Sequence, residues 1–187
     1  MTRLASLSVD LDSLKHYCRI HGLDESVAAE DPVYTTATQR FGELCDKLGI
    51  KGTAFCIGED LERPEAAASI RKLAGAGHEI ANHSYSHDYA LTRLDPGRMA
   101  DEVRRGAEAI QRACGKAPVG FRAPGYTMSG ALLSVLVAHG YRYDSSIFPA
   151  TPYWLAKAGL MAALKALGEP SRAILDSPRV LFAPREP

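Results

Sequence analysis

The chain is poor in the features that mark several common protein classes. Its 187 residues include four cysteines and one tryptophan. The cysteines, Cys18, Cys45, Cys56 and Cys114, lie far apart with no CxxC pair. That spacing excludes the disulfide framework of small secreted domains and the paired-thiol zinc and redox motifs, so they read as reduced thiols. Charge of one sign is also missing, because 22 Lys and Arg balance 22 Asp and Glu. Without a basic field the chain has little to hold nucleic acid or an anionic membrane surface, and a neutral small molecule or sugar suits it better. No apolar run approaches the roughly 18 residues of a spanning helix. The opening MTRLASLSVDLD is interrupted at Asp10, too early for a secretory signal core of about 7–15 residues. The expectation is a cytoplasmic protein with no transmembrane segment. Internal repeats and low-complexity tracts are absent too.

What is present describes an ordinary globule, 46% hydrophobic and 24% charged, of a length that suits one domain over 1–187. LASLSVDLD reads as a buried strand that stops where the acids begin. Residues 15 to 34 read as an irregular, polar loop insertion. TTATQRFGELCDKLGI places Phe41, Leu44 and Leu48 at helical spacing with Gly49 to end the helix, and KGTAFCIG follows as a strand. PEAAASIRKLAGAG is a helix with Pro64 in its first turn, and HEIANHS a strand. DPGRMADEVRRGAEAIQRACG is a long amphipathic helix ending at Gly115, and VGFRAP the next strand. SGALLSVLVAHG and YRYDSS repeat the pattern, and YWLAKAGLMAALKALG closes it. In that last helix Tyr153, Trp154 and the apolar face around Leu160, Met161 and Leu164 read as core or helix packing rather than a ligand site.

Strands alternating with helices through short Gly and Pro connections imply βαβ units on a parallel sheet, in a barrel or a doubly wound layout. Both layouts gather ligands at the carboxyl ends of the strands. The polar signatures fall at those ends: Asp10 and Asp12, His83 and His87, Arg122 to Tyr126, and Asp144 to Ser146. A closed barrel needs seven or eight βα units, and about five or six are counted here. The Pro-rich tail EPSRAILDSPRVLFAPREP adds no clear helix, so the chain is expected to stop before the last barrel units.

The candidate chemistry starts from HSYSH. His83 and His87 share a face if their segment is helical and can still meet on one ion in a tight loop. Two imidazoles suit zinc or a similar divalent ion, but an isolated HxxxH is common by chance and needs a third ligand. Asp12 can supply it as a carboxylate. Asp10, two residues earlier, points to the same side of a regular strand, so one acid can bind the ion while the other accepts a proton from water. The alternative reading of SVDLDS is a strand end whose acids are solvated or cap a turn. His78, His16 and His21 carry no assigned role, with His78 expected to satisfy a local backbone bond. His139 reads as a helix-end residue favoured by the helix dipole.

SVDLD, HSYSH, FRAPGY and YDSS, in that order and spacing, resemble the polysaccharide deacetylase family with its NodB-homology domain, from Asp10 to about Phe148. The resemblance implies an α/β fold, a distorted (β/α) barrel incomplete over this length, that removes N-acyl groups from aminosugars with a divalent metal, zinc by preference. Carried over by residue, it makes Asp10 the general base and Asp12, His83 and His87 the metal ligands. It makes Arg122 the partner that orients Asp10 and the Gly125 backbone N–H an oxyanion donor. Tyr126 and Asp144 would face the substrate, an acylated aminosugar that is free, polymeric or lipid-linked.

Three features depart from the common pattern. Leu11 separates the two acids, a form similar to the branch with cytoplasmic peptidoglycan-type deacetylases and lipid-linked aminosugar deformylases. No Trp follows Asp144, which leaves a strand-end or capping role open for it. No His follows His139, so the general-acid His of a Leu-x-His motif is not among these residues. Deformylation of a lipid-linked aminosugar, and a non-catalytic sugar-binding domain with a vestigial site, therefore stand as alternatives.

Overall fold

Alternation along SVDL, TAFC and EIAN decides which face of the sheet each residue serves. The computed structural model describes residues 5–28, 31–148 and 150–168. Within them the strands are β1 (Ser8–Leu11), β2 (Thr53–Cys56), β3 (Glu79–Asn82), β4 (Gly120–Phe121) and β5 (Tyr143–Asp144). They pair in sequence order, and every pairing is parallel. The helices that return the chain are α1 (Leu14–His21), α2 (Thr38–Leu48), α3 (Pro64–Gly75), α4 (Pro96–Cys114), α5 (Gly130–Ala138) and α6 (Thr151–Ala166).

Leu11, Ala54, Cys56 and Ile80 pack outward into one buried cluster with Ile70 and Leu73 of α3 and Ala109 and Ile110 of α4. Phe121 joins a second cluster with Met99 and Val103 of α4 and Leu132 and Leu136 of α5. The opposite face carries Ser8, Asp10, Phe55, Glu79, Arg122 and Tyr143. That face is strongly curled. In a flat sheet β1 and β4 would stand three strand spacings apart, about 14 Å. Arg122, just past β4, nevertheless places Nη2 3.0 Å from Ser8 Oγ and Nη1 on Asp10 Oδ1. The guanidinium lies 4.0 Å over the Phe55 ring, so cation and aromatic fill the middle of an open, barrel-like curve. Gly120 leaves room for the end of the Tyr143 ring, which a Cβ there would displace.

Local punctuation places the longer helices where the sequence puts them. Asp95 caps α4 by accepting from Arg98 N, Pro96 occupies its first turn, and Gly115 ends it in the left-handed conformation. His139 caps α5, with its ring bonded to the Val135 carbonyl. His78 Nδ1 accepts from Gly52 N, a backbone bond as expected, though to a residue 26 positions away beside β2 rather than a local one. All four cysteines stand free.

Three expectations are corrected. Residues 15 to 34 are no irregular insertion: they hold α1, a 3-10 turn at Glu25–Ala28 and the start of a π-helical turn at Val33–Ala37. Helix α1 buries His16, Cys18 and Ile20, so its inner face carries a polar residue where an apolar stripe would have announced it. In α2 the inward face is Thr38, Phe41 and Cys45 rather than Phe41, Leu44 and Leu48, and Leu44 and Leu48 are 47% and 56% exposed. In α6 Trp154 is buried, whereas Tyr153 and Leu160 are exposed. The tail from 169 to 187 lies outside the described residues.

Candidate active site and metal centre

Two acids leave the end of β1 on the inner side, and β3 delivers the histidines beside them. His83 follows Asn82 directly, its N–H bonded to the Cys56 carbonyl, so the ladder still fixes it. The chain then turns sharply instead of continuing as helix. Ser84 and His87 have φ of 65° and 58°, a region that costs a non-glycine residue of order 1–3 kcal/mol and survives only when its surroundings enforce it. The enforcement is visible. Gly58 N and Glu59 N donate to the carbonyls of Ser84 and Tyr85, Ser84 Oγ accepts from His87 N, and Glu102 holds Ser86 by backbone and hydroxyl. HSYSH is thus a braced loop that returns His87 to the side of His83.

Asp12 lies between the two rings. Its Oδ1 is 3.4 Å from His83 Nε2 and its Oδ2 3.5 Å from His87 Nε2. One ligand atom from each of the three residues falls within 4.8 Å of the others. His83 Nδ1 lies 2.6 Å from the Arg122 carbonyl. A carbonyl only accepts, so Nδ1 carries a proton and Nε2 is the nitrogen turned toward Asp12. Burial, reinforced by His83 and His16, holds His87 well below the usual imidazole pKa. Burial also raises the Asp12 carboxyl, an effect opposed by His83 and increased by the Asp10 charge.

Ring nitrogens thus face a carboxylate across gaps long for hydrogen bonds, and Asp12 Oδ1 and both His87 nitrogens are buried with no hydrogen-bond partner. Such atoms are expensive to leave unsatisfied. A divalent cation would satisfy them together, and two imidazoles with one carboxylate form a donor set that zinc accepts with positions open. The residues fit the ion that the sequence motif implies.

Asp10 is held apart from this trio. Arg122 Nη1 bonds its Oδ1 and the Tyr126 hydroxyl donates to its Oδ2 at 3.0 Å. Arg122 is itself fixed by Ser145 through Nε to the carbonyl at 3.2 Å and Nη2 to the hydroxyl at 2.8 Å. Gly125 and Tyr126 have φ of 65° and 59°, and Tyr126 stacks on Phe148 with ring centroids 4.9 Å apart. Asp144 is turned away: its oxygens accept from the Ser146 amide at 2.9 Å and hydroxyl at 2.7 Å, and Ser146 Oγ accepts from Ala123 N. The structure thus brings Asp10, Asp12, His83, His87, Arg122 and Tyr126 into one inner rim beside Gly125, and sets Asp144 behind the FRAP backbone.

Sequence reasoning passed over helix α1. Tyr17 donates to Asp12 Oδ2 at 3.3 Å, and burial followed by the Asp12 charge pushes its phenol up to about 12. His16 is buried edge-on to His87 with ring centroids 5.3 Å apart. Its Nε2 stands 3.3 Å from Asp60 Oδ2, while Ser13 Oγ donates to Asp60 Oδ1 at 2.9 Å. The stretch DLDSLKHY held a signal, because Ser13, His16 and Tyr17 follow Asp12 closely enough for a short helix to gather them beside it.

The polysaccharide deacetylase family model matches residues 29–143. A peptidoglycan deacetylase of Helicobacter pylori is 26% identical over 157 residues, covering 81% of this chain and 53% of its own length. A Mycobacterium smegmatis structure described as a candidate polysaccharide deacetylase aligns with TM-score 0.66 and 29% identity, over 76% of this chain and 50% of that one. The family 4 carbohydrate esterase of Streptomyces lividans, solved in complex with acetate, aligns with TM-score 0.53 and 29% identity, over 59% of this chain and 55% of that one. The chain spans about half the length of these relatives. With the family model covering more than half of its residues and the motif residues meeting at one rim, the chain belongs to the polysaccharide deacetylase family.

Proposed function

We propose that residues 1–187 act as one NodB-like domain of a metal-dependent hydrolase that removes an N-acyl group, by first preference N-acetyl, from an aminosugar in a polysaccharide or glycoconjugate. The observation that carries this reading is the separation of two carboxylates: Asp12 faces His83 and His87, while Asp10 is bound by Arg122 and Tyr126. Two acids with different partners can perform different tasks.

Asp12, His83 and His87 would hold the divalent ion, zinc being the best match to the donor set. Such an ion supplies Lewis acidity and lowers the pKa of water. Asp10 would take the water proton on Oδ2, with Oδ1 held by the guanidinium so that the free lone pair keeps one direction. The Gly125 N–H would donate to the oxygen on which charge develops. Tyr126, stacked on Phe148, would form one wall of the sugar site. The names of the relatives and the acetate of the Streptomyces lividans complex, acetate being the acid released from an N-acetyl group, support this assignment. Four free thiols suit a reducing cytoplasmic setting.

The test offers N-acetyl and N-formyl aminosugar oligomers side by side to zinc-loaded protein. Acetate release is expected from the first. Preference for formyl would move the assignment to deformylation, the reading that the Leu11-separated acids leave open. Asp12→Ala should lose the ion, and Asp10→Asn should keep it while turnover falls about 10²–10⁴-fold. Wild-type turnover in both variants would overturn the roles. No turnover on any sugar with zinc bound would leave a sugar-binding domain.

A further inference from the structure

His83 and His87 are supported unequally. A metal-ligating imidazole usually donates its second ring N–H to a carboxylate or carbonyl, which fixes both tautomer and orientation. His83 has that support from the Arg122 carbonyl. His87 has none: its Nδ1 is buried and meets no hydrogen-bond partner. Three rings pack against it, His83 at 5.0 Å, Tyr89 at 5.3 Å and His16 at 5.3 Å between centroids, and of the two that are edge-on, Tyr89 and His16, only His16 brings ring nitrogens that themselves lack a partner. The two rings are thus in direct edge-on contact with no hydrogen bond between them, and a rotation of either ring would let the orphaned His87 Nδ1 and a His16 nitrogen satisfy each other.

His16 is 1% exposed and its two nitrogens also lack hydrogen-bond partners. Its Nε2 nevertheless stands 3.3 Å from Asp60. Asp60 is fully buried and anchored by the Ser13 hydroxyl, Lys15 Nζ at 3.1 Å and Arg63 Nη2 at 3.6 Å. The placement of this dyad is costly, since a buried imidazole and carboxylate lose solvation that a surface pair would keep. A tie between α1 and the turn after β2 could use apolar side chains at lower cost.

We propose that His16, backed by Asp60, is a positioning residue for His87: it accepts the His87 Nδ1–H and donates its own Nε2–H to Asp60, so that His87 Nε2 is presented toward Asp12. This rests on the metal-site reading above and extends it to a chain His87–His16–Asp60. No group in it reaches substrate.

The test uses the full chain and zinc ion alone, with affinity read by chelator competition and ligand geometry by the visible spectrum of the cobalt-substituted protein. His16→Phe keeps the ring volume and removes the nitrogens. It should weaken zinc binding about 10–100-fold and shift the cobalt bands, while metal-free protein stays folded but melts at a lower temperature, because buried Asp60 loses a partner. Asp60→Asn should weaken binding less, and adding it to His16→Phe should cost little more, because the chain is already broken. His16→Gln, which restores an acceptor, covers failure of His16→Phe to fold and should recover part of the affinity. Wild-type affinity and an unchanged cobalt spectrum in His16→Phe, or in His16→Gln where His16→Phe does not fold, would overturn the proposal. Asp12→Ala in the same assay separates the two levels. If it still binds zinc, the metal site itself is misassigned; if it loses zinc while the His16 variants do not, only the chain through His16 fails.

Discussion

Gly106→Ala sets a general rule against this structure. Gly106 lies inside α4, where exchanging Gly for Ala ordinarily stabilises by about 1 kcal/mol. Here a Cβ would fall well inside 3.0 Å of Asn82 Oδ1 and 3.0 Å from both its Cγ and Nδ2. Asn82 cannot simply swing aside. It is fully buried, its Nδ2 donates to the Val103 carbonyl at 2.9 Å and to the Tyr141 hydroxyl at 2.6 Å, and its backbone carbonyl accepts from Arg122 N. Overpacking costs about 1–3 kcal/mol, and a displaced buried amide adds roughly 1–3 kcal/mol for a lost bond. Set against the helix gain, the variant should be destabilised by about 3 kcal/mol, which for a chain of this size lowers Tm by roughly 6–12 °C. Thermal melts by circular dichroism, with urea midpoints at constant m-value, measure it. If the clash is the cause, Asn82→Ala combined with Gly106→Ala will cost less than the two changes separately. A Tm equal to or above wild type for Gly106→Ala would refute the packing argument. His83 follows Asn82, so zinc affinity should fall alongside stability.

Three further outcomes follow from the rim. Saturating zinc at about 100 times Kd should stabilise the wild-type chain by about 2.7 kcal/mol, raising Tm in a scan repeated with and without metal, and Asp12→Ala should abolish the shift. Arg122→Lys should lower turnover about 10²-fold while zinc affinity stays within about threefold, because one ammonium cannot replace a planar fork shared by Ser8, Asp10 and Ser145; steady-state kinetics beside chelator competition separates the two. Burial alone would raise the Asp60 carboxyl, but His16, Lys15 and Ser13 outweigh it and hold the group below the usual carboxylate value. A depressed folded-state pKa gives stability that is fully present above about pH 4, the unfolded value, and is lost as pH falls through the folded one. Urea midpoints at descending pH should therefore show wild type losing its margin over Asp60→Asn only below about pH 4, and a margin that disappeared near neutrality would contradict the pairing.

The strands and the longer helices were legible because short-range physics writes them plainly. PEAAASIRKLAGAG and DPGRMADEVRRGAEAIQRACG carry proline near the start and glycine near the end, and α3 and α4 form between those marks. Helix α1 was not legible, since its inner positions hold His16 and Cys18 beside Ile20, and a search for apolar spacing passes over a histidine. Its burial depends on Asp60, 44 positions away in sequence, and no local pattern carries that. The curl of the sheet is hidden for the same reason: a side chain reaching from Arg122 to Ser8 is a tertiary fact. The stripe assigned to α2 failed by one step around the helix, because Cys45, not Leu44, fills the inner position.

The site was legible by a different route, as an ordered set of polar motifs at strand ends, and its composition explains why local rules stop working there. Among the described residues the non-glycine positions with positive φ are Ser84, His87 and Tyr126. All three lie in the two loops that face Asp10 and Asp12. Of the eleven buried polar side-chain atoms without partners among the described residues, six lie in the same place, on Asp12, His16, His87 and Asp60, and five lie on Asp31, Arg63, His78 and Asn82. A fold that only sought stability would discard each of these features, since each strained residue or orphaned atom costs of order 1–3 kcal/mol. Their convergence on one rim, with the ladder of β3, the Ser84 and Glu102 braces and the Arg122 fork all needed to hold them, argues that the arrangement is retained for what it binds. The histidine least visible in the sequence, His16, sits in the middle of that expense, which is why its removal, more than that of any surface group, should report whether the metal site is organised from behind.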